Sequence, residues 1–197
     1  MKLAVFVSGQ GTLLQKIIDC GKHEILYVCA DKICPAIEKA IKAGITVAAD
    51  QNMAGLPKPD LNVLAGFTSK IPLSPYIHKF INVHPSLLPA FGGKGMYGSK
   101  VFGEIKRSQV NFTGCTVHFC NDEYDEGPII LQKMVRIKPQ WREEDIAAAT
   151  HELELPCLLA AIKAIDQCNK IRMSGSHLDY VRSVHGLATE IDMNGEN

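Results

Sequence analysis

Short apolar runs alternate with helix-periodic stretches through the first half of this chain, and that alternation constrains the fold more than any other feature. Lys2–Val7 is apolar and ends in Ser-Gly-Gln-Gly; Thr12–Cys20 then places Leu13, Leu14, Ile17 and Ile18 at helical spacing. Residues 25–30 read as a second strand, 35–43 as a helix closed by Gly44, and 45–49 as a third strand. Strands separated by helices pair in parallel, because the crossover carries the chain back to the same end of the sheet. Residues 60–65 and 80–83 continue the strand series, with a helical piece around 74–79 between them and a helix at 97–107 after them. The runs 113–120 and 129–137, joined by Asn-Asp-Glu-Tyr-Asp-Glu-Gly-Pro, read as an antiparallel hairpin with a long loop. Residues 142–171 read as one long helix with Pro156 as a kink or break. The expectation is an α/β, Rossmann-like fold: a mostly parallel twisted sheet, helices on both faces, and an antiparallel hairpin near the C-terminal end. One domain spans 1–173, and 174–197 read as a polar tail of weak periodicity.

Composition narrows the function classes. With 21 Lys+Arg against 21 Asp+Glu the formal charge is zero, which argues against a nucleic-acid partner. No apolar run approaches a membrane span and the N-terminus lacks a leader pattern, so the expected setting is cytoplasmic. The cysteines at 20, 29, 34, 115, 120, 157 and 168 form no Cys-x-x-Cys pair and sit mostly in apolar runs. They read as buried free thiols, and no metal-ligand set is visible.

The chemistry concentrates in Phe-Ile-Asn-Val-His-Pro-Ser-Leu-Leu-Pro, residues 80–89. Asn82, His84 and Ser86 alternate after two apolar residues, so an extended segment would aim all three to one side. Asp125, on a Gly-Pro turn roughly forty residues later, supplies a carboxylate. An amide donor, an imidazole and a carboxylate suit attack of an amine on a carbonyl: Asn and protonated His stabilise the oxyanion, and the carboxylate orients the ring. Gly9-Gln10-Gly11 falls where the first strand gives way to a helix, a backbone arrangement that attracts phosphate. Each feature has a plainer reading as well: a lone structural His, a turn-closing Asp, an ordinary glycine turn.

Taken together, Ser-Gly-Gln-Gly-Thr-Leu-Leu-Gln (8–15), Ala-Gly-Phe (65–67), His-Pro-Ser-Leu-Leu-Pro, Thr-Val-His-Phe (116–119) and Asp-Glu-Gly-Pro resemble the formyl transferases that use N10-formyltetrahydrofolate. The Ser-Gly-Gln-Gly turn is similar to the branch of that family acting on glycinamide ribonucleotide in purine synthesis. The resemblance runs, with gaps, from Met1 to about Ile171. It implies catalytic roles for Asn82, His84 and Asp125. It implies ribonucleotide contacts at Gly9, Gly11, Thr12, Leu13, Gly66, Pro85 and Glu154. The folate would lie against Phe67, Thr68, Lys70, Asn82, Cys120, Asn121, Asp122 and Asp125. Ser86 and His118 stand behind the reacting groups; for Ser86 a local backbone bond and a substrate contact are both open, and for His118 a structural bond and a role beside Asp125. Glu152 competes with Glu154, and Lys94 in the Gly-rich 92–98 loop reads as a solvated cation.

Two departures from the family pattern are visible. Leu13 replaces the usual Asn, and residues 50–60 form only a short connection where a helix of several turns is usual. The trimmed connection would bare apolar sheet surface, so a homodimer is one reading. Another formyl transferase or hydrolase using the same donor, and a non-catalytic folate- or nucleotide-binding module, are the competing functions.

Overall fold

The computed structural model describes residues 1–48, 55–71, 80–171 and 177–193. The chain divides into two compact units, Met1–Val83 and His84–Asn197.

In the first unit the strands are β1 (Lys2–Val7), β2 (Glu24–Ala30), β3 (Thr46–Ala48), β4 (Leu61–Leu64) and β5 (Phe80–His84), the last ending one residue into the second unit. They lie in the order β3-β2-β1-β4-β5, every neighbouring pair parallel. Leu3 to Val7 are buried without exception, as befits a central strand covered on both sides. Helices α1 (Thr12–Cys20) and α2 (Pro35–Lys42) form the crossovers. α1 buries Leu13, Leu14 and Ile17, and α2 starts on Pro35, a residue pre-set for the first helical turn. The strand order reverses at β1: β2 and β3 lie on one side, β4 and β5 on the other. Such a switch leaves room for a ligand where the carboxyl ends of β1 and β4 diverge.

In the second unit β6 (Phe112–Phe119) and β7 (Ile129–Arg136) pair antiparallel with a register shift at Val117/His118, so the expected hairpin is present. α3 (Ser99–Arg107) and α4 (Glu143–Ile171) pack together, burying Val101, Phe102, Ile105 and Ile146. α4 also covers β6 and β7. Pro156 lies inside α4 without ending it, so a break there is not found. The tail expected beyond 173 is a second correction: α5 (His177–Met193) is helical and packs on α4 and β7. Val181, Val184 and Ala188 recur at helical spacing and are buried, a short apolar stripe hidden among polar residues. The helical piece at 74–79 and residues 50–54 of the trimmed 50–60 connection fall outside the described residues.

Candidate active site

β5 brings Asn82 and His84 to alternate positions, with Asn82 half-buried and His84 buried. A two-residue step along a strand returns to the same face. His84 is 4% exposed, and its Nδ1 lies 3.5 Å from Oδ2 of Asp125, itself 12% exposed. Nε2 of His84 lies 2.9 Å from the Phe91 carbonyl oxygen. A carbonyl only accepts, so this contact assigns a proton to Nε2 and leaves Nδ1 facing the carboxylate.

Asp125 reaches this position through an unusual backbone. Its φ is +60°, left-handed space that a side chain adopts at a cost and that Asp tolerates better than most. Two close fits hold the loop. A Cβ on Gly127 would collide with the Phe119 carbonyl oxygen, and one on Gly92 would press on the Leu88 side chain. The Gly93 amide donates to Oδ2 of Asp125 at 2.9 Å. The carboxylate thus receives a backbone N–H while facing two imidazoles, since Nε2 of His118 lies 3.7 Å from Oδ1.

His118, 2% exposed on β6, gives its Nδ1 proton to the Phe119 carbonyl at 2.9 Å. Burial lowers its pKa and nearby His84 adds to that; the Phe119 bond and the Asp125 charge oppose it. Cys120, also buried next to Asp125, has its thiol pushed up to about 12, chiefly by desolvation. Asn121 accepts the Glu123 amide at 3.1 Å in a local turn, and Asp122 is exposed. The fully buried Ser86 donates to the Ala90 carbonyl at 2.6 Å. On α4, Glu154 is buried with Oε1 3.1 Å from Nδ1 of His151, while Glu152 is exposed.

The first unit assembles another group of the expected residues at the switch between β1 and β4. Gly11 caps α1 with φ +67°, and a Cβ there would stand 2.6 Å from that of Ala36. Its carbonyl accepts the Gln15 amide at 3.0 Å and the Lys39 ammonium at 3.3 Å. Leu13 is turned into the core, so its side chain offers nothing to a ligand, whereas Thr12 is exposed. The Ser8 amide donates to Gly66 O at 3.2 Å, and Ser8 Oγ accepts the Thr68 amide at 2.8 Å. These bonds tie Gly66 and Thr68 to the glycine turn, and Phe67 meets Phe6 edge to face at 5.6 Å. Lys70 is exposed and Pro85 half-buried. Ser8 and Lys39 were missed in the sequence, although a Ser opening a glycine turn is a recognisable signal. Among the described residues no cluster of His, Cys, Asp and Glu could hold a metal, and no helix is long and apolar enough to cross a membrane.

The first unit carries a parallel sheet whose strand order reverses beside a glycine turn, and the second a buried imidazole 3.5 Å from a carboxylate. The formyl transferase family model matches residues 47–162, and this chain belongs to that family. A phosphoribosylglycinamide formyltransferase of Haemophilus influenzae is 34% identical over 82% of this chain and 85% of its own length. The chloroplastic phosphoribosylglycinamide formyltransferase of Arabidopsis thaliana is 35% identical over 74% of this chain. The chain spans about three fifths of the two plant relatives it matches, 59% and 60%. Among solved structures, the phosphoribosylglycinamide formyltransferase of Anaplasma phagocytophilum superposes with a TM-score of 0.74 at 28% identity, covering 85% of this chain and 87% of that one.

Proposed function

We propose that this protein transfers a formyl group from N10-formyltetrahydrofolate to the amine of glycinamide ribonucleotide. The observation that carries the reading is the 3.5 Å approach of His84 to Asp125, with Asn82 two residues earlier on the strand that ends in His84. The relatives named for the same activity support it.

The amine attacks the formyl carbon directly, giving a tetrahedral species without a covalent enzyme intermediate. It collapses by breaking the bond from that carbon to N10, and tetrahydrofolate leaves with N10 taking up the proton that the amine loses. Asn82 donates its amide N–H to the oxyanion. His84 donates Nε2–H, so the substrate oxygen takes the place of the Phe91 carbonyl as its acceptor. Asp125 holds the second ring proton and thereby the cationic imidazole, and it orders a water that removes the proton from the attacking nitrogen. The buried setting makes each of these interactions stronger than in water. The folate supplies only the activated formyl carbon. This reading assigns Phe67 and the backbone of Cys120–Asp122 to the folate, whose flat heteroaromatic ring is edged by hydrogen-bonding atoms. The N–H groups of the Gly11–Leu13 turn receive the ribonucleotide phosphate, and Glu154 is assigned to its sugar or amine end. Small molecules are the only partners this reading needs, and a cytoplasmic setting supplies both.

The test is a turnover assay with glycinamide ribonucleotide, offering N10-formyltetrahydrofolate in one arm and formate plus ATP in the other. The reading requires product in the first arm. Binding of folate and ribonucleotide without product would favour the binding module, and product only with formate plus ATP would mean a different enzyme class.

A further inference from the structure

The cross-strand pair Thr116–Gln132 grips the chain just beyond the imidazole. The two residues are register partners on β6 and β7, the strands whose connecting loop carries Asp125. Thr116, fully buried, donates its hydroxyl to the Ser86 carbonyl at 2.7 Å. The same oxygen accepts the Leu88 amide at 3.0 Å and Nε2 of Gln132 at 2.9 Å. A hydroxyl has one proton and two lone pairs, so Thr116 is used to capacity. Gln132 spends its other amide proton on the Leu88 carbonyl at 2.9 Å. Residues 86–88 are therefore bonded at three backbone atoms by one side-chain pair, two to four residues after His84.

From this we infer that Thr116 and Gln132 are positioning residues that set the separation of His84 and Asp125. One hairpin holds both ends of the pair: its loop holds the carboxylate, and its strands hold the segment that fixes the imidazole. Neither side chain bonds His84 or Asp125 directly. The inference rests on the catalytic roles proposed above. A buried hydroxyl used to capacity has few alternative arrangements, and reaction rates are steep in the geometry of reacting groups. A valine at 116 has nearly the shape of threonine but leaves the Ser86 carbonyl and the Leu88 amide without that partner. A leucine at the exposed 132 position removes only the two donations.

The experiment compares Thr116→Val, Thr116→Ser and Gln132→Leu with the wild type, measuring kcat, both KM values and the thermal midpoint. Gln132→Leu and Thr116→Val are expected to lower kcat about tenfold or more with both KM values within about twofold, and Thr116→Ser to stay near wild type. The double variant Thr116→Val/Gln132→Leu should fall short of the product of the single effects, because both act through one clamp. Since Gln132 is at the surface, its variant folds even if Thr116→Val does not. A purely structural role predicts a lower midpoint with kcat per folded molecule unchanged; that result overturns the inference, as does a Thr116→Ser variant no better than Thr116→Val. The His84 ring resonances give an arm independent of turnover. They should move in Gln132→Leu, and unmoved resonances contradict the clamp. A wild type without turnover but with moved resonances overturns the proposed reaction and leaves the clamp standing as the geometry of the pair.

Discussion

At the residue scale, the buried carboxylate between two histidines governs behaviour. His118 takes up a proton less readily in the fold than in the unfolded chain, because burial disfavours its charged form. Below the unfolded value near 6.5 the unfolded state binds a proton that the native state does not, so stability falls as pH drops from about 6.5 toward the lower folded value. The slope from this residue is at most about 1.4 kcal/mol per pH unit. Urea unfolding between pH 7.5 and 5 checks it: the slope should flatten in His118→Gln, and an unchanged slope would show that His118 is not the group responsible. Cys120 behaves in the opposite sense. Its pKa is raised to about 12, so its thiol is held neutral by burial and should resist iodoacetamide in the native protein at pH 8, becoming reactive only on unfolding.

At the scale of elements, two glycines are required by their surroundings, and their substitution separates binding from folding. Gly11 takes left-handed space against Ala36 at the start of α1. Replacing it with Val should displace the turn and raise the ribonucleotide KM severalfold, while leaving folate KM near its original value; unchanged ribonucleotide KM in a folded variant removes the phosphate assignment. Gly127→Ala sets a methyl group against the Phe119 carbonyl and is expected to cost about 1–3 kcal/mol of stability, read from denaturant midpoints. The strands and the first two helices were legible in the sequence because apolar runs bounded by Gly and Pro leave few alternatives. Boundaries moved by a residue or two at their ends, as where β5 runs on to His84. α5 was not legible: its apolar residues are few and small, and only packing against α4 and β7 selects a helix for that stretch. Pro156 misled in the other direction, since burial of α4 along the hairpin sustains the helix past the missing amide proton. In the site, the alternation of Asn82 and His84 could be read from spacing, because a strand has a period of two. The pairing of Asp125 with His84 came from the family resemblance, since a Gly-Pro turn alone marks only a turn. The Phe91 carbonyl, the Gly93 amide and the Thr116–Gln132 pair could not, because backbone partners and cross-strand register leave no mark in residue identity.

At the scale of the molecule, the two units carry different features. The first supplies a glycine turn at a strand-order switch, and the second a hairpin whose loop brings a carboxylate to an imidazole. The function proposed for this protein is catalysis rather than binding alone, and that is the claim most open to contradiction. The direct measurement is kcat for wild type, Asn82→Ala, Asp125→Asn and the double variant, alongside the affinity of each for a non-reactive folate analogue. If Asn82 stabilises charge present only in the transition state, Asn82→Ala lowers kcat by roughly 10²-fold or more with little change in analogue affinity. Asp125→Asn keeps the shape but loses the negative charge that faces Nδ1 of His84, so it too depresses kcat. The double variant then loses less than the product of the two, because both groups serve one tetrahedral species. Variants that keep wild-type kcat, or a wild type that binds the analogue and turns nothing over, would contradict the account.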